Sequence, residues 1–411
     1  MGAFLLSGTL KNVVLSIKVH CENYLTIDFT VSHDASRIIC LLLDKSLLIY
    51  RNMEKFLYRI GKVSLLISVV VILSSCSQSS KNLLEVRYSD FPEEKYLSAQ
   101  IIELDTVLFR YPFRIRVEGD KAIVMDLHGS DHYGHLFQYP SFQYLSSFGK
   151  RGDSPTEMLS MENCRLYNRK LWTLDADKSE LTRLAFSSSG DSLFRGEMIV
   201  LDKDILRPLD FAVYDDATFI IPDYSGESRF LKVSDKGGLL EKIGTIPTSN
   251  ARALQEARPA LAQAWRSFLD YNPRNGVLVA VTQLGEVVDV YNLKGSTHVV
   301  RIGEHDEPEF KVSDGYGIPI GIMGFSDVQV TDSAIYAVFH GTSFKEIAKQ
   351  GGKLPDGGKY IYVFSLKGEP MCKYVLDHYI YGIWVDEATK TIMATDVNSD
   401  QPILKFSFGS V

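Results

Sequence analysis

Cysteine is scarce. Five in 411 residues are too few for a disulfide framework. Basic charge is not in excess either: 44 Lys and Arg stand against 51 Asp and Glu, a net charge of −7, so the footprint of a nucleic-acid binder is missing. The clearest apolar run, Val63–Leu73, is interrupted by Ser64 and Ser68 and falls short of the roughly 18 residues of a comfortable membrane-spanning helix. No G-x-S-x-G elbow, Walker loop, H-E-x-x-H or C-x-x-C occurs, which removes the local signatures of several enzyme classes. A Ser/His/Asp set assembled from distant segments stays open, because its members need not be neighbours in the chain. What the chain does have is aromatic and β-branched residues. Its 22 Phe and 21 Tyr, with 30 Gly and frequent Val, Ile and Thr, favour strands.

The strongest local feature runs from Met53 to Cys76. Lys55, Arg59 and Lys62 give a basic start, Val63–Leu73 an apolar core, and Leu73-Ser74-Ser75-Cys76 a small-residue end. That is the order of a bacterial export signal. A cysteine after small residues resembles a lipobox, with Ser75 where Gly or Ala is more usual. The expectation is a signal peptide over 53–75, acylation of Cys76, and a polar tether over 76–98. The competing reading is a single-pass anchor with a bystander cysteine. Residues 1–52 precede the natural start of such a signal. They read as an upstream mis-start of the gene, or as a small cytoplasmic segment ahead of a membrane helix. Losing residues 1–75 removes eight basic and five acidic residues from a net −7. The mature body then carries −10, an acidic, soluble body on a lipid tether. The expected address is the envelope of a Gram-negative-type bacterium, at the outer membrane and facing the periplasm.

Within residues 99–411, from residue 113 onward, one phrase recurs: an alternating strand, a turn, a more apolar strand, a polar loop, a third strand and often a fourth. The first turns fall at Asp120, Asn168, Asp216, Asn275, Asp332 and Thr389, spaced by 48, 48, 59, 57 and 57 residues. Four antiparallel strands bury little alone, but radially stacked sheets cover one another's faces and keep their edges short. Six copies predict an all-β, six-bladed β-propeller. The last copy lacks an outer strand, and Ala99–Asp105 is expected to supply it and close the ring.

Phe148-Gly149-Lys150-Arg151-Gly152-Asp153-Ser154-Pro155-Thr156-Glu157-Met158 resembles the F-G-x-x-G-x-G-P-x-E linker of TolB-like and NHL-like six-bladed propellers, with Ser154 replacing a Gly. The resemblance extends over about residues 53–411 and is strongest to the TolB-like six-bladed propeller lipoproteins. It implies the architecture and the lipid anchor, and no activity. Arg151-Gly152-Asp153 lies inside this linker, so its likeness to an integrin tripeptide is coincidental.

Loops between strands two and three, and between blades, emerge on one face of a propeller, which is where a ligand is expected. After Thr248-Ser249-Asn250, the residues Leu254, Ala257, Leu261, Trp265 and Phe268 mark a helical stripe between blades three and four. Ser249 or Asn250 would cap it, and Pro259 would kink or divide it. A Gly- and Lys-rich insertion, Gly341–Gly358, reads as a mobile loop of blade five. Metal-type residues cluster in blade one: Asp126, His128, Asp131, His132 and His135 have the chemistry for zinc or copper but no closed zinc spacing. Asn163, Asp210, Asp270 or Asn272, and Asp327 open inner strands and would converge at the channel mouth. Six-bladed lactonase-type propellers hold calcium in a similar oxygen ring, and such a ring suits a hard cation. The bland alternative is that short polar residues begin strands and satisfy loop amides. Cys164 and Cys372 fall on opposite blades and should stay unpaired, with Cys164 buried and Cys372, near an edge, the more reactive thiol.

No nucleophile–base pair is visible, so the expected function is a binding or scaffolding module presenting its loop face to a small ligand, glycan or envelope protein. The alternative is a calcium-dependent lactonase or esterase using the channel mouth, and a third possibility is a purely structural envelope component.

Overall fold

In the computed structural model the described residues are 83–104, 108–351 and 354–409, with the short ladder of Thr9–Leu10 against Val13–Val14. Residues 1–80 form one unit and 81–411 another. The export signal, Cys76 and the start of the tether lie outside the described residues.

Within the second unit, alternating apolar residues build six sheets in chain order. Their first strands are Pro112–Glu118, Met161–Tyr167, Ala212–Asp215, Ser267–Asn272, Phe325–Val330 and Gly382–Asp386. These strands contact one another in sequence and round again to the first, so they line the centre of a six-bladed propeller. Each is followed by its partners outward. The six turns expected from sequence all join first strands to second strands. At Asn168 and Arg169 the turn takes left-handed angles, φ 51° and 57°, the geometry that suits the twist of a two-residue hairpin. Second strands such as Val277–Thr282 and Ala334–Phe339 are buried along their whole length, because a blade has a neighbour on each face. Apolar clusters accordingly fill all six gaps between blades.

The ring closes as expected: Gln100–Ile102 pairs antiparallel with Ile403–Ser407 of blade six. What precedes it departs from the expected tether. Leu83–Arg87 adds in parallel to the outer strand of blade four, and Glu93–Leu97 adds in parallel to that of blade five. Tyr88 is buried between these two blades, edge-on to Phe364, and Phe91 packs beside it, tilted against Tyr362 and edge-on to Phe364. A polar-looking segment such as Glu93-Glu94-Lys95-Tyr96-Leu97 becomes a strand because it covers a sheet edge that would otherwise be unpaired.

The belt also corrects the reading of Cys372. It sits opposite Glu93 under the added strand and is 0% exposed. Both Cys164 and Cys372 are free and buried, and burial raises both thiols, Cys164 to about 11. A chain starting at Ser77 should show no thiol reactive toward a disulfide reagent when native and two when denatured. One fast-reacting native thiol would contradict the burial of Cys372.

The insertion between blades three and four forms two short helices, Ala251–Glu256 and Arg258–Ala264. Asn250 caps the first by accepting from Ala253 N at 3.0 Å. Ala257 breaks the run and Pro259 lies in the first turn of the second helix, where its missing N–H costs nothing. Leu261 and Trp265 are buried. The stripe ends there, since Phe268 already belongs to the inner strand of blade four. The blade-five insertion contains a helix, Phe344–Lys349, with a reciprocal capping box between Ser343 and Glu346. Ser343-Phe344-Lys345-Glu346 spells that box, a signal passed over in reading the insertion as loop alone.

Candidate functional site

The channel residues singled out from sequence do converge, but on one another's blades. Asp210 Oδ2 accepts from Leu269 N of blade four at 2.9 Å. Asp270 Oδ2 accepts from Val330 N of blade five at 2.7 Å, and Asp327 Oδ2 from Ile383 N of blade six at 2.9 Å. Asn163 donates to Asp210 at 2.6 Å, and Asn272 donates to Asp332 at 3.0 Å. Each carboxylate thus clasps the next blade.

Arginines complete the ring. Arg165 donates to Asp210 at 3.0 Å, and Arg116 forks onto both oxygens of Asp327 at 3.2 Å, with Arg114 Nε 3.6 Å away. Burial pushes the Asp327 carboxyl up, but Arg114 and Arg116 outweigh it and hold the group below the ordinary carboxylate range. Asp270 is raised, because burial outweighs the pull of Arg165 and the Val330 amide. Calcium takes six to eight oxygens. Here the carboxylates are turned to guanidinium and amide donors, and among the described residues no three His, Cys, Asp or Glu side chains form a set able to hold a metal ion. The ring as built does not fit calcium; its geometry is that of an inter-blade staple.

The histidine loop is similarly engaged. Asp126 accepts from Arg110 N, Tyr111 N and His128 N at 2.9, 2.7 and 3.3 Å. His128 lies against the Tyr111 ring, and His135 meets Ser147 Oγ at 2.9 Å. His132 and His135 line a hollow of about 270 Å³ with Asp126 and Asp131. Burial lowers His135 to about 4, so it is neutral at pH 7.

A different place on the loop face has the character of a binding site. Sequence reasoning pointed to that face but not to these residues. A cleft of about 310 Å³ lies between the loop after blade two, the second helix of the insertion, the hairpin Phe310–Ser313 with Tyr316–Pro319, and the start of the blade-five helix. Its polar lining is Arg207, Tyr224, Gln263, Arg266 and Gln283. Leu209, Leu284, Pro319, Met323 and Phe344 supply the apolar part. Arg207 has a left-handed backbone, φ 45°, a conformation that costs an Arg about 1 kcal/mol or more. Tyr224 is 9% exposed and its hydroxyl has no hydrogen-bond partner, a state uncommon for a buried polar atom. Arg266 donates to Glu162 at 3.3 Å. Next in sequence to lining residues, Leu206, Tyr316, Ile318 and Ile320 are exposed.

Close packing holds the cleft's wall. Gly317 N donates to Gln263 Oε1 at 3.0 Å, and a Cβ at Gly317 would meet Ala260 O at 2.5 Å. Gly317→Val should therefore lift the hairpin from the helix at a cost of about 1–3 kcal/mol. Hydrogen exchange over residues 310–319 should speed up, and unchanged exchange there would contradict this contact.

Neither Tyr224 nor Arg266 carries a recognisable motif, because the cleft is assembled from loops of several blades. The channel arginines did leave a trace: in Phe113-Arg114-Ile115-Arg116-Val117 two arginines share one face of an inner strand.

Comparison with known proteins agrees with the architecture. A search of curated proteins returns no match. Among crystal structures, a Bacteroides fragilis protein described as exported aligns at 10% identity, covering 79% of this chain and 99% of its own, with a TM-score of 0.49. A DUF4221-family protein of Bacteroides vulgatus gives 10% identity, coverage of 78% and 98%, and a TM-score of 0.48. An auxiliary nutrient binding protein of Bacteroides ovatus gives 11%, 74% and 70%, and 0.47. The family described as TolB-like 6-blade propeller-like matches residues 90–388, nearly the whole ring, and with six blades and their closing strand in place the chain belongs to that family.

Proposed function

We propose that this propeller is a binding module and that the cleft around Tyr224 and Arg266 receives a small ligand. The observation that carries the reading is the make-up of this loop-face cleft: two arginines and the partnerless Tyr224 hydroxyl beside an apolar wall, with no Asp or Glu in the lining. A buried donor left unmade costs about 1–3 kcal/mol, and a bound molecule would recover that. The hydrolase reading has no such support, since it relied on channel carboxylates that clasp neighbouring blades.

The module works in the envelope of a Gram-negative-type bacterium, tethered through Cys76 to the outer membrane on its periplasmic side. The order of charge, apolar core and cysteine in residues 53–76 supports this. Labelling with a palmitate analogue should mark the membrane fraction and vanish in Cys76→Ala; persistent labelling would refute the anchor.

Binding is tested with residues 81–411 incubated in a small-molecule extract of the bacterial culture and examined by native mass spectrometry. A retained small adduct should be lost in Leu284→Trp, which fills the cleft, and kept in Asp270→Asn. The reverse pattern would move the site to the channel.

A further inference from the structure

We infer that the cleft selects a small molecule carrying one carboxylate on an apolar body, an inference that rests on reading the cleft as the binding site. The chain as a whole is acidic, at −7, yet the cleft lining includes Arg207 and Arg266 and no Asp or Glu. The hydrogen-bonding groups there are mostly donors. Gln263 has already given its carbonyl oxygen to Gly317 N, which leaves its NH₂ to face a ligand. Arg266 has five N–H donors, and one goes to Glu162. The Tyr224 hydroxyl has no partner. Burial pushes its pKa up to about 12, with Arg266 pulling the other way, so at neutral pH it is an O–H donor.

With the Gln283 amide as the one side-chain carbonyl acceptor left in the lining, the excess of donors calls for an anion, and a planar guanidinium fork matches a carboxylate. The amount of charge limits the choice. Glu162 offsets part of Arg266, so the site suits a monoanion better than a doubly charged phosphate. Leu209, Leu284, Pro319, Met323 and Phe344 then supply apolar contact for the rest of the molecule. At about 310 Å³ the cleft lies at the small end of ligand pockets.

The test uses residues 81–411, a compact unit, and three probes: phenylacetate, its neutral isostere phenylacetamide, and inorganic phosphate. Binding is followed by ligand-observed NMR titration. Phenylacetate should bind at least about tenfold more tightly than phenylacetamide, the ratio that one charge-assisted hydrogen bond supplies. Arg266→Gln should remove that preference. Tyr224→Phe, which leaves the charge and the ring in place, should weaken phenylacetate by roughly threefold to tenfold. Equal binding of phenylacetamide, abolished by Leu284→Trp, would overturn the carboxylate and leave the cleft as the site. Binding indifferent to Arg266→Gln, Tyr224→Phe and Leu284→Trp would overturn both. Phosphate binding more tightly than phenylacetate, or no binding of any probe, would overturn the carboxylate, and the extract adduct then judges the cleft on its own.

Discussion

Asp327→Asn is expected to cost about 3–5 kcal/mol at pH 7, the penalty for removing one partner of a buried ion pair. Asp327 is 2% exposed and answers two arginines, Arg114 and Arg116. Asparagine can still accept the Ile383 amide, but both guanidinium groups lose their counter-charge. Asp270→Asn, one blade away, should be neutral or mildly stabilising at the same pH, because burial already disfavours the Asp270 charge and the amide oxygen can still accept from Val330. The two sites should also differ in sign with pH. Asp327 is held below its unfolded value, so its contribution is present above about pH 4 and disappears as pH falls through the folded pKa. Asp270 is held above its unfolded value, so its contribution is present in acid and lost as pH rises through the folded pKa. Urea unfolding of the wild type and both variants across pH 3–8 measures this. Equal losses in the two variants would mean that the carboxylates are interchangeable strand-start polar groups.

The N-terminal belt should prove as important as any blade. A chain starting at Lys81 keeps every described contact of the propeller. A chain starting at Ala99 loses the strands on blades four and five, with Tyr88 and Leu97, both buried. The expected cost is about 3–6 kcal/mol, that of losing two large buried side chains. A chain starting at Asp105 also loses Gln100–Ile102, which pairs with Ile403, Leu404 and Lys405 on the closing blade, the first two buried. It should no longer unfold in one cooperative step, because blade six then lacks its outer strand and the backbone ladder that ties the two ends of the ring together is gone. Denaturant curves of the three chains decide the matter, and coincident midpoints would show that the belt is decoration.

The blades were legible because each first turn is short and each second strand intensely apolar, so residues such as Asp120 and Val277–Val281 fixed both spacing and register. Closure was legible for a simple reason: a missing outer strand must come from the other end of the chain. The belt was not, because Glu93-Glu94-Lys95 reads as solvated tether and becomes a strand only against a sheet edge that the sequence does not display. The channel carboxylates were found, but their partners were not. Arg116 and Asp327 are 211 residues apart, and without the arginines the ring looked like a cation site. The cleft is the hardest case. Tyr224 lies in a loop of blade three and Gln263 and Arg266 in the insertion that follows that blade, and the partnerless state of the Tyr224 hydroxyl is a fact of packing alone.

A crystal structure of residues 81–411 carrying the molecule retained from the culture extract tests the central claim most directly. The molecule should lie in the loop-face cleft, within hydrogen-bonding distance of the Tyr224 hydroxyl and the Arg266 guanidinium. Density for it in the channel between Asp210 and Asp327, with the cleft holding only solvent, would contradict the account.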